Sequence, residues 1–310
     1  MGGLRERGNA RVRWLELRNK IAAYRLFEGR DCTGHRAELE TICSLDPYSR
    51  LFAAEGFVYR NVDRGAAMSD MPLELSLIAI HAGAGLRLAE QVLASIHAGE
   101  SRSRMLNEFS AVCRQESSAG FGGIMEEALG LVTRTKHPHL LDGLDRHLRT
   151  MNGQSWERFW HGVGRGIYFA PSNVPPFRTA PWSGVGMCLS EPPHETGKRN
   201  ALSGFCFALT LVNLGEPEVL EAFFQHHPTD LDCMDGMDAA MTVWTLSSRS
   251  SGAQERVPIL ATALTARGLG MTDEDWLRPE RLFSVRQKAR VFGCGDELGG
   301  QIARVPAGGA

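Results

Sequence analysis

One stretch near the middle of the chain, Ser155–Ala170, limits what this protein can fold into more than any other. Its sequence, SWERFWHGVGRGIYFA, places two glycines two residues apart inside a window with the apolar spacing of a helix. A glycine inside a helix costs about 1 kcal/mol relative to alanine, so such a pair indicates that something approaches the backbone closely. The approaching group is either a neighbouring helix or a ligand, and the sequence leaves both interpretations open.

The same small-residue pair recurs along the chain at one or two multiples of about 20 residues. The pairs are Gly83/Gly85, Gly120/Gly122, Gly162/Gly164, Gly184/Gly186 and Gly204/Cys206. A helix and its connection take about that length, and alternating strand patterns are nearly absent. We therefore predict an all-α protein of stacked helical hairpins, either an α-α repeat or a toroid-like bundle. No strand precedes the pairs and the third glycine is missing, which excludes a dinucleotide fingerprint.

The helical pattern sets the expected domain limits. It predicts a single helical domain over residues 14–292. An Arg- and Gly-rich N-terminal arm, residues 1–13, is predicted to be disordered, and the Gly-rich residues 293–310 form a flexible tail.

The composition indicates the cellular compartment and excludes some classes of binding partner. The formal net charge is −2, so no basic excess points to nucleic acid or anionic lipid. The longest uncharged run, Asn200–Gly215, is shorter than the roughly 20 apolar residues of a membrane span. Seven scattered cysteines without a C-x-x-C pair are typical of thiols in a reducing compartment. We predict a cytoplasmic protein with no integral membrane span, no nucleic-acid partner and no signal peptide.

The central helix carries the strongest candidate chemistry. Glu157, His161 and Arg165 share a stripe because they are four residues apart. This stripe is either a solvated row of salt bridges or part of a pocket beside Tyr168 and Trp182. In the pocket, Arg165 would bind a carboxylate or enolate and His161 would transfer a proton.

Other polar residues give weaker signals. His81 precedes Gly83/Gly85 much as His161 precedes its own pair, which makes it a further catalytic candidate or a satisfied core histidine. The run Asp232, Asp235 and Asp238 could hold Mg²⁺ and a diphosphate as in terpene synthases, although helix capping explains most of it. No histidine pair has metal-ligand spacing, so we predict no metal and no cofactor.

Two segments of the central region resemble a known family. Gly162–Phe169, GVGRGIYF, followed by Trp182–Gly186, WSGVG, is similar to an uncharacterised family encoded in enediyne polyketide gene clusters. That family shows a GIGRALWF-like stretch and then WSGVG. Weaker similarities lie upstream, in GFVY…GAAM (residues 56–68) and HAGAGLRLAE (residues 81–90). The insertion RNVD at residues 60–63 departs from the family pattern.

The resemblance implies a role in building or maturing a polyketide-derived unsaturated core. We therefore expect a biosynthetic protein, a cyclase or tailoring enzyme, that encloses a small hydrophobic intermediate and assists its cyclisation or modification. The predicted catalytic residues are His161, Arg165 and His81. The predicted substrate-binding residues are Trp160, Tyr168, Trp182, Ser183, Gly162, Gly164, Gly184 and Gly186. Two alternatives remain: a non-catalytic helical scaffold for partner biosynthetic enzymes, and a terpene-cyclase-like enzyme that uses the aspartate run.

Overall fold

The protein is all-α. The computed structural model describes residues 2–29, 34–62, 71–72, 75–116, 121–151, 155–170, 182–227 and 231–248. Within these ranges every regular element is a helix and no strand occurs, which confirms the predicted fold class. The helices are α1 (Gly2–Glu28), α2 (His35–Ser44), α3 (Pro47–Asn61), α4 (Leu77–His97), α5 (Arg102–Glu116), α6 (Gly122–Lys136), α7 (Leu141–Leu148), α8 (Ser155–Phe169), α9 (Gly184–Ser190), α10 (Glu195–Val212), α11 (Pro217–His226) and α12 (Leu231–Ser248), with a 3-10 turn at Pro138–Leu140 before α7.

Six of the described helices pack in the order in which the chain forms them. Helix α3 packs on α4, α4 on α6, α6 on α8, α8 on α10, and α10 on α12. Helix α12 in turn contacts α3, and the hydroxyls of Ser76 and Ser247 lie 2.9 Å apart beside this contact. The sequence of helix contacts therefore closes on itself, as expected for a toroid-like bundle.

Glycines set the distance between these helices. A Cβ atom on Gly162 would lie 2.0 Å from the carbonyl oxygen of Glu127 on α6. On the other side of α8, a Cβ atom on Gly164 would lie 1.9 Å from the carbonyl oxygen of Ala201 on α10. Neither contact is possible for a larger residue without moving a backbone, so α8 is fixed between α6 and α10 by its two glycines. At these two positions the approaching group is a neighbouring helix.

The N-terminal helix begins earlier than the sequence predicts. The pattern indicates a disordered arm over residues 1–13, whereas α1 begins at Gly2. Ion pairing accounts for part of this difference, since Arg11 Nη2 lies 3.0 Å from Glu218 Oε1 on α11. Further along α1, Asn19 Nδ2 donates a hydrogen bond of 3.0 Å to Asn213 Oδ1 at the end of α10. Tertiary contacts of this kind have no local signal in the sequence.

Two helix predictions need correction. Helix α2 has no counterpart in the sequence analysis, although Leu39, Ile42 and Cys43 have the spacing of one helical face. Helix α10 begins at Glu195, five residues before the uncharged run Asn200–Gly215, because His194 caps it: its Nδ1 accepts a hydrogen bond of 2.8 Å from the backbone N–H of Gly197. The predicted tail, residues 293–310, and the predicted end of the domain at 292 lie outside the described residues.

One helix passes a length and composition test for a membrane span. Among the described helices, α4 is long and apolar enough, and 61% of its most apolar window is buried inside the protein. A buried core helix passes the same test. The run Asn200–Gly215, which falls largely on α10, does not pass it.

Candidate functional site

The strongest candidate site forms where α3, α6 and α8 meet. His161 and Arg165 lie one turn apart on α8, so their side chains point to the same side of the helix. Both reach Glu127 on α6: His161 Nδ1 lies 3.0 Å and Arg165 Nη1 lies 2.9 Å from Glu127 Oε1. Arg165 Nη2 also lies 3.6 Å from Glu55 Oε1 on α3. We call these four residues the buried ionic cluster.

Burial makes this cluster electrostatically unusual. The side chains of His161 and Glu127 are fully buried, while Arg165 and Glu55 retain 12% and 13% exposure. Burying a charged group is costly unless it is paired with an opposite charge. In the cluster, Arg165 lies between the two carboxyl groups and pairs with both. The side of the cluster formed by Glu55 and Arg165 is the one that solvent reaches.

The pKa values of Glu127 and Glu55 are shifted in opposite directions. Burial alone would raise the pKa of Glu127, but the charges and hydrogen bonds of His161 and Arg165 lower it to about 2. The pKa of Glu55 moves the other way, since burial raises it and the nearby Glu127 carboxylate adds to this, against the opposing charge of Arg165. Two carboxyl groups whose pKa values are pushed apart in one site are the arrangement from which acid and base roles arise.

An aromatic ring from α10 covers the cluster. The guanidinium carbon of Arg165 lies 5.2 Å from the centre of the Phe207 ring, within the range of a cation–π contact. The His161 ring meets the same phenyl group edge-on, with 5.6 Å between ring centres. Phe207 is itself buried, so the two basic groups are held between carboxylates on one side and an apolar surface on the other.

One carboxylate oxygen and one guanidinium nitrogen of the cluster lack a hydrogen bond to the described residues. Glu127 Oε2 and Arg165 Nε are buried and make no hydrogen bond to the residues that the structure describes. Native proteins satisfy almost all buried polar atoms, so each exception needs an explanation. A ligand with both donor and acceptor atoms would satisfy this pair.

The polar stripe predicted on α8 is only partly exposed: Glu157 is half-buried, His161 is fully buried and the Arg165 side chain is 12% exposed. Arg158, on the same helix, lies 2.5 Å from Glu126 Oε2, and its side chain is 15% exposed. His161 and Arg165 are paired with the buried cluster instead of with solvent. The first of the two sequence interpretations, a solvated row of salt bridges, is therefore wrong for these two residues.

The predicted aromatic residues lie in the core: Tyr168 and Trp182 are connected through the rings of Phe205 and Phe223, and Trp160 lies beside Phe159. Trp160 is fully buried and donates a hydrogen bond of 2.7 Å from Nε1 to Asp145 Oδ1. Tyr168 accepts a hydrogen bond of 3.0 Å from Asn213, and the ammonium group of Lys20 lies 3.8 Å from its ring centre. Trp182, at the other end of the matched segment, packs on Phe223. These partners of the three rings lie outside the buried ionic cluster.

The remaining predicted residues are also apart from the cluster. His81 is buried on α4, its Nδ1 lies 2.7 Å from the carbonyl oxygen of Leu77, and it stacks on Phe121. Burial lowers the pKa of His81, which favours the neutral ring despite its backbone hydrogen bond. Ser183 and Gly184 lie at the start of α9, and Gly186 is exposed with open space where a Cβ atom would be.

No metal centre is seen in the described ranges: no group of three or more His, Cys, Asp or Glu side chains there is arranged to hold an ion. Of the aspartate run on α12, Asp235 is exposed and Asp238 is half-buried. The terpene-cyclase alternative stays a prediction.

Sequence reasoning missed both carboxyl groups of the cluster. Glu55 lies in the apolar run LFAAEGFV and Glu127 in GGIMEEALGL. A carboxylate inside an apolar helix is rarely buried without a charged partner, so each was a detectable signal. It also missed a pair on α7 and α10, where His194 Nε2 donates a hydrogen bond of 2.9 Å to Asp145 Oδ1. Both ring nitrogens of His194 are hydrogen-bonded, so this pair holds the start of α10 against α7.

Comparisons with known proteins give no relative: no protein-family model, no curated protein and no solved structure matches the chain. The resemblance to the enediyne-cluster family therefore stays a prediction that rests on the two central motifs.

Proposed function

We propose that this protein binds a small hydrophobic, unsaturated biosynthetic intermediate and assists its cyclisation or modification by proton transfer at the buried ionic cluster. The observation that carries the proposal is the pairing of Glu55 and Glu127 across Arg165, with their pKa values moved in opposite directions. Strongly perturbed carboxyl groups around a specific charge partner are typical of functional sites. The motif similarity to proteins of enediyne polyketide clusters supports the class of intermediate.

Each group has a distinct part in such a reaction. In its protonated form, which the raised pKa favours, the carboxyl of Glu55 donates its proton to one carbon of a double bond, so that a C–H bond forms and the π bond breaks. Loss of a proton from a neighbouring carbon to the Glu55 carboxylate then restores the acid. Arg165 offsets the negative charge of Glu55 between these two steps, and Glu127 stays ionised and holds Arg165 and His161 in place.

The substrate would approach from the Glu55–Arg165 side, where the cluster keeps some exposure. The unsatisfied Arg165 Nε and Glu127 Oε2 provide a donor and an acceptor for a polar group of the intermediate. Phe207 supplies an apolar surface beside them. A molecule with one polar end and an unsaturated apolar body fits this combination of groups.

Native mass spectrometry of the protein purified from its producing host tests the proposal. We expect the wild-type protein to carry a small unsaturated adduct that Arg165→Ala loses. Glu55→Gln should keep the adduct but fail to incorporate solvent deuterium into it in D₂O, because the amide donates no exchangeable acid proton. Glu191→Gln is a matched control, since Glu191 forms a half-buried ion pair with Arg134 and is not a member of the buried ionic cluster. Wild-type protein without any adduct, or deuterium incorporation by Glu55→Gln, would contradict the proposal.

A second function, the helical scaffold, is favoured by one observation on α1. Trp14, Ile21 and Tyr24 are 60%, 43% and 59% exposed. Their spacing of seven and three residues places them on one face, as in the seam of a coiled coil. A partner enzyme that offers an amphipathic helix could cover this apolar face. A photo-crosslinking residue at position 21 in the producing host should then capture one pathway enzyme, and a Trp14→Ser/Tyr24→Ser variant should lose the crosslink.

A further inference from the structure

A cavity separate from the buried ionic cluster lies between α1, α2 and α3. Its volume is about 530 Å³, within the usual range for small-molecule sites. Its apolar walls come from all three helices: Ala22, Leu26, Ile42, Leu45 and Ala53. None of the residues predicted from the sequence to bind substrate lines it.

The helices around this cavity are held in fixed positions. Arg60 on α3 donates hydrogen bonds both to the carbonyl oxygen of Phe27 on α1 and to Glu38 Oε1 on α2. Gly56 on α3 lies against the same carbonyl group, where a Cβ atom would come within 1.8 Å of the oxygen. One arginine and one glycine therefore join the three walls, so the cavity is part of the packed fold.

Among the polar residues that line the cavity, Arg25 carries a positive charge that is not used in an ion pair with a described residue. Glu38 is paired with Arg60, the hydroxyl of Thr41 donates to the carbonyl oxygen of Ala37, and the hydroxyl of Ser49 donates to Asp46. Arg25 also lines the cavity, and its guanidinium group forms no ion pair with any residue that the structure describes. The walls thus combine apolar surface with a single cation whose planar donors match a carboxylate.

We infer that this cavity binds a molecule with an apolar chain and one carboxylate, with the carboxylate at Arg25. The inference does not depend on the acid–base role of the buried ionic cluster, since no residue is shared between the two sites. The apolar chain lies along Leu26, Ile42 and Ala53, where it replaces water in contact with apolar walls. The carboxylate stays at the open edge of the cavity, because Arg25 and Ala22 are exposed.

Binding is measured with a fluorescent conjugated polyene fatty acid as the probe, and with dodecanoate and dodecanol as competitors. We expect the probe to bind and dodecanoate to displace it. The affinity of dodecanol should be about fivefold lower than that of dodecanoate, because dodecanol lacks the negative charge. Arg25→Gln should lower the affinity for dodecanoate about fivefold and leave the affinity for dodecanol unchanged. Arg36→Gln is the matched control, since Arg36 is 92% exposed on α2 and pairs with Glu40 away from the cavity.

A second pair of variants tests the location. Ala53→Leu fills the cavity from the buried side, and Ala22→Trp covers it from the exposed rim. Both should abolish probe binding, with circular dichroism confirming the helical fold. Glu55→Gln, which disables the proposed acid, should bind the probe like the wild-type protein, so the two proposals fail separately. Equal affinity for dodecanoate and dodecanol, absence of probe binding, or unchanged binding in Ala22→Trp would overturn the inference.

Discussion

Arg165 on α8 and Glu55 on α3 approach within 3.6 Å although α4 and α6 separate their helices in the packing order. Arg165 makes this contact through Nη2, while its Nη1 contacts Glu127 on α6. One side chain thus joins three helices that the chain forms about 40 residues apart or more. This relationship gives the cluster a structural role, and the proposed proton transfer uses the same contact.

Removing Arg165 should strongly destabilise the protein. Arg165→Ala leaves the fully buried Glu127 without its closest cation, and breaking a buried ion pair costs about 3–5 kcal/mol. Urea unfolding followed by circular dichroism measures the change. Arg134→Ala is the control, because the Arg134–Glu191 pair is bidentate but more exposed on its acidic side, and about 1 kcal/mol should be lost there. Equal losses in the two variants would show that Glu127 does not need Arg165.

Glu55→Gln should stabilise the protein, and more so at high pH. The raised pKa of Glu55 means that the folded state binds more protons than the unfolded state just above the ordinary glutamate pKa. The stability of the wild-type protein therefore decreases as the pH rises above the ordinary glutamate pKa. Glutamine does not titrate, so the variant should not show this decrease. We expect the melting temperature of the variant to exceed that of the wild type at about pH 8, with the difference shrinking toward about pH 4. A difference that is constant with pH would contradict the raised pKa.

Glu127→Gln should have the opposite pH dependence. The pKa of Glu127 is lowered to about 2, so the unfolded state binds more protons between this value and the ordinary glutamate pKa. The stability that Glu127 contributes is complete above that ordinary value and is lost as pH falls to about 2. The variant should therefore be less stable than the wild type at neutral pH and approach it in acid. Thermal unfolding of both proteins between about pH 2 and 7 measures this convergence.

The sequence predicted the helical architecture better than the site. The glycine pair of α8 was visible because a glycine in a helix is costly unless a neighbour needs the space, and both Gly162 and Gly164 meet a backbone carbonyl. His161 and Arg165 were identified as a polar pair for the same local reason, their spacing. Their partners Glu55 and Glu127 come from other helices, and a single sequence carries no signal for which distant carboxylates meet.

The aromatic residues show the same limit. A run rich in Trp and Tyr is compatible with a pocket wall and with a packed core, because both bury apolar rings. The hydrogen bond from Trp160 to Asp145 and the contact of Lys20 with Tyr168 place these rings in the core. Helix α2 was missed for a different reason: its apolar face is short, and its packing against α3 stabilises it.

Two glycine substitutions should have opposite effects on stability. Gly164→Ala places a methyl group 1.9 Å from the carbonyl oxygen of Ala201, so α8 and α10 must separate, at a cost of about 1–3 kcal/mol or more. Gly186→Ala meets open space within α9 and should stabilise the protein by up to about 1 kcal/mol, because alanine is the better helix former. Chemical denaturation of both variants measures the two changes. Stabilisation by both substitutions would mean that α8 and α10 are not in backbone contact.

His81 should make the protein sensitive to mild acid. Burial lowers its pKa, so just below the ordinary histidine pKa the unfolded state takes up a proton that the folded state does not. The protein therefore keeps its full stability above the ordinary histidine pKa and loses stability as the pH falls through that value. His81→Phe keeps a ring stacked on Phe121 but removes the titrating group, so it should flatten the melting-temperature profile between about pH 7 and 5. His97→Phe is the control, because His97 is exposed at the end of the same helix. A profile that His81→Phe leaves as steep as the wild type would assign the acid sensitivity to another group.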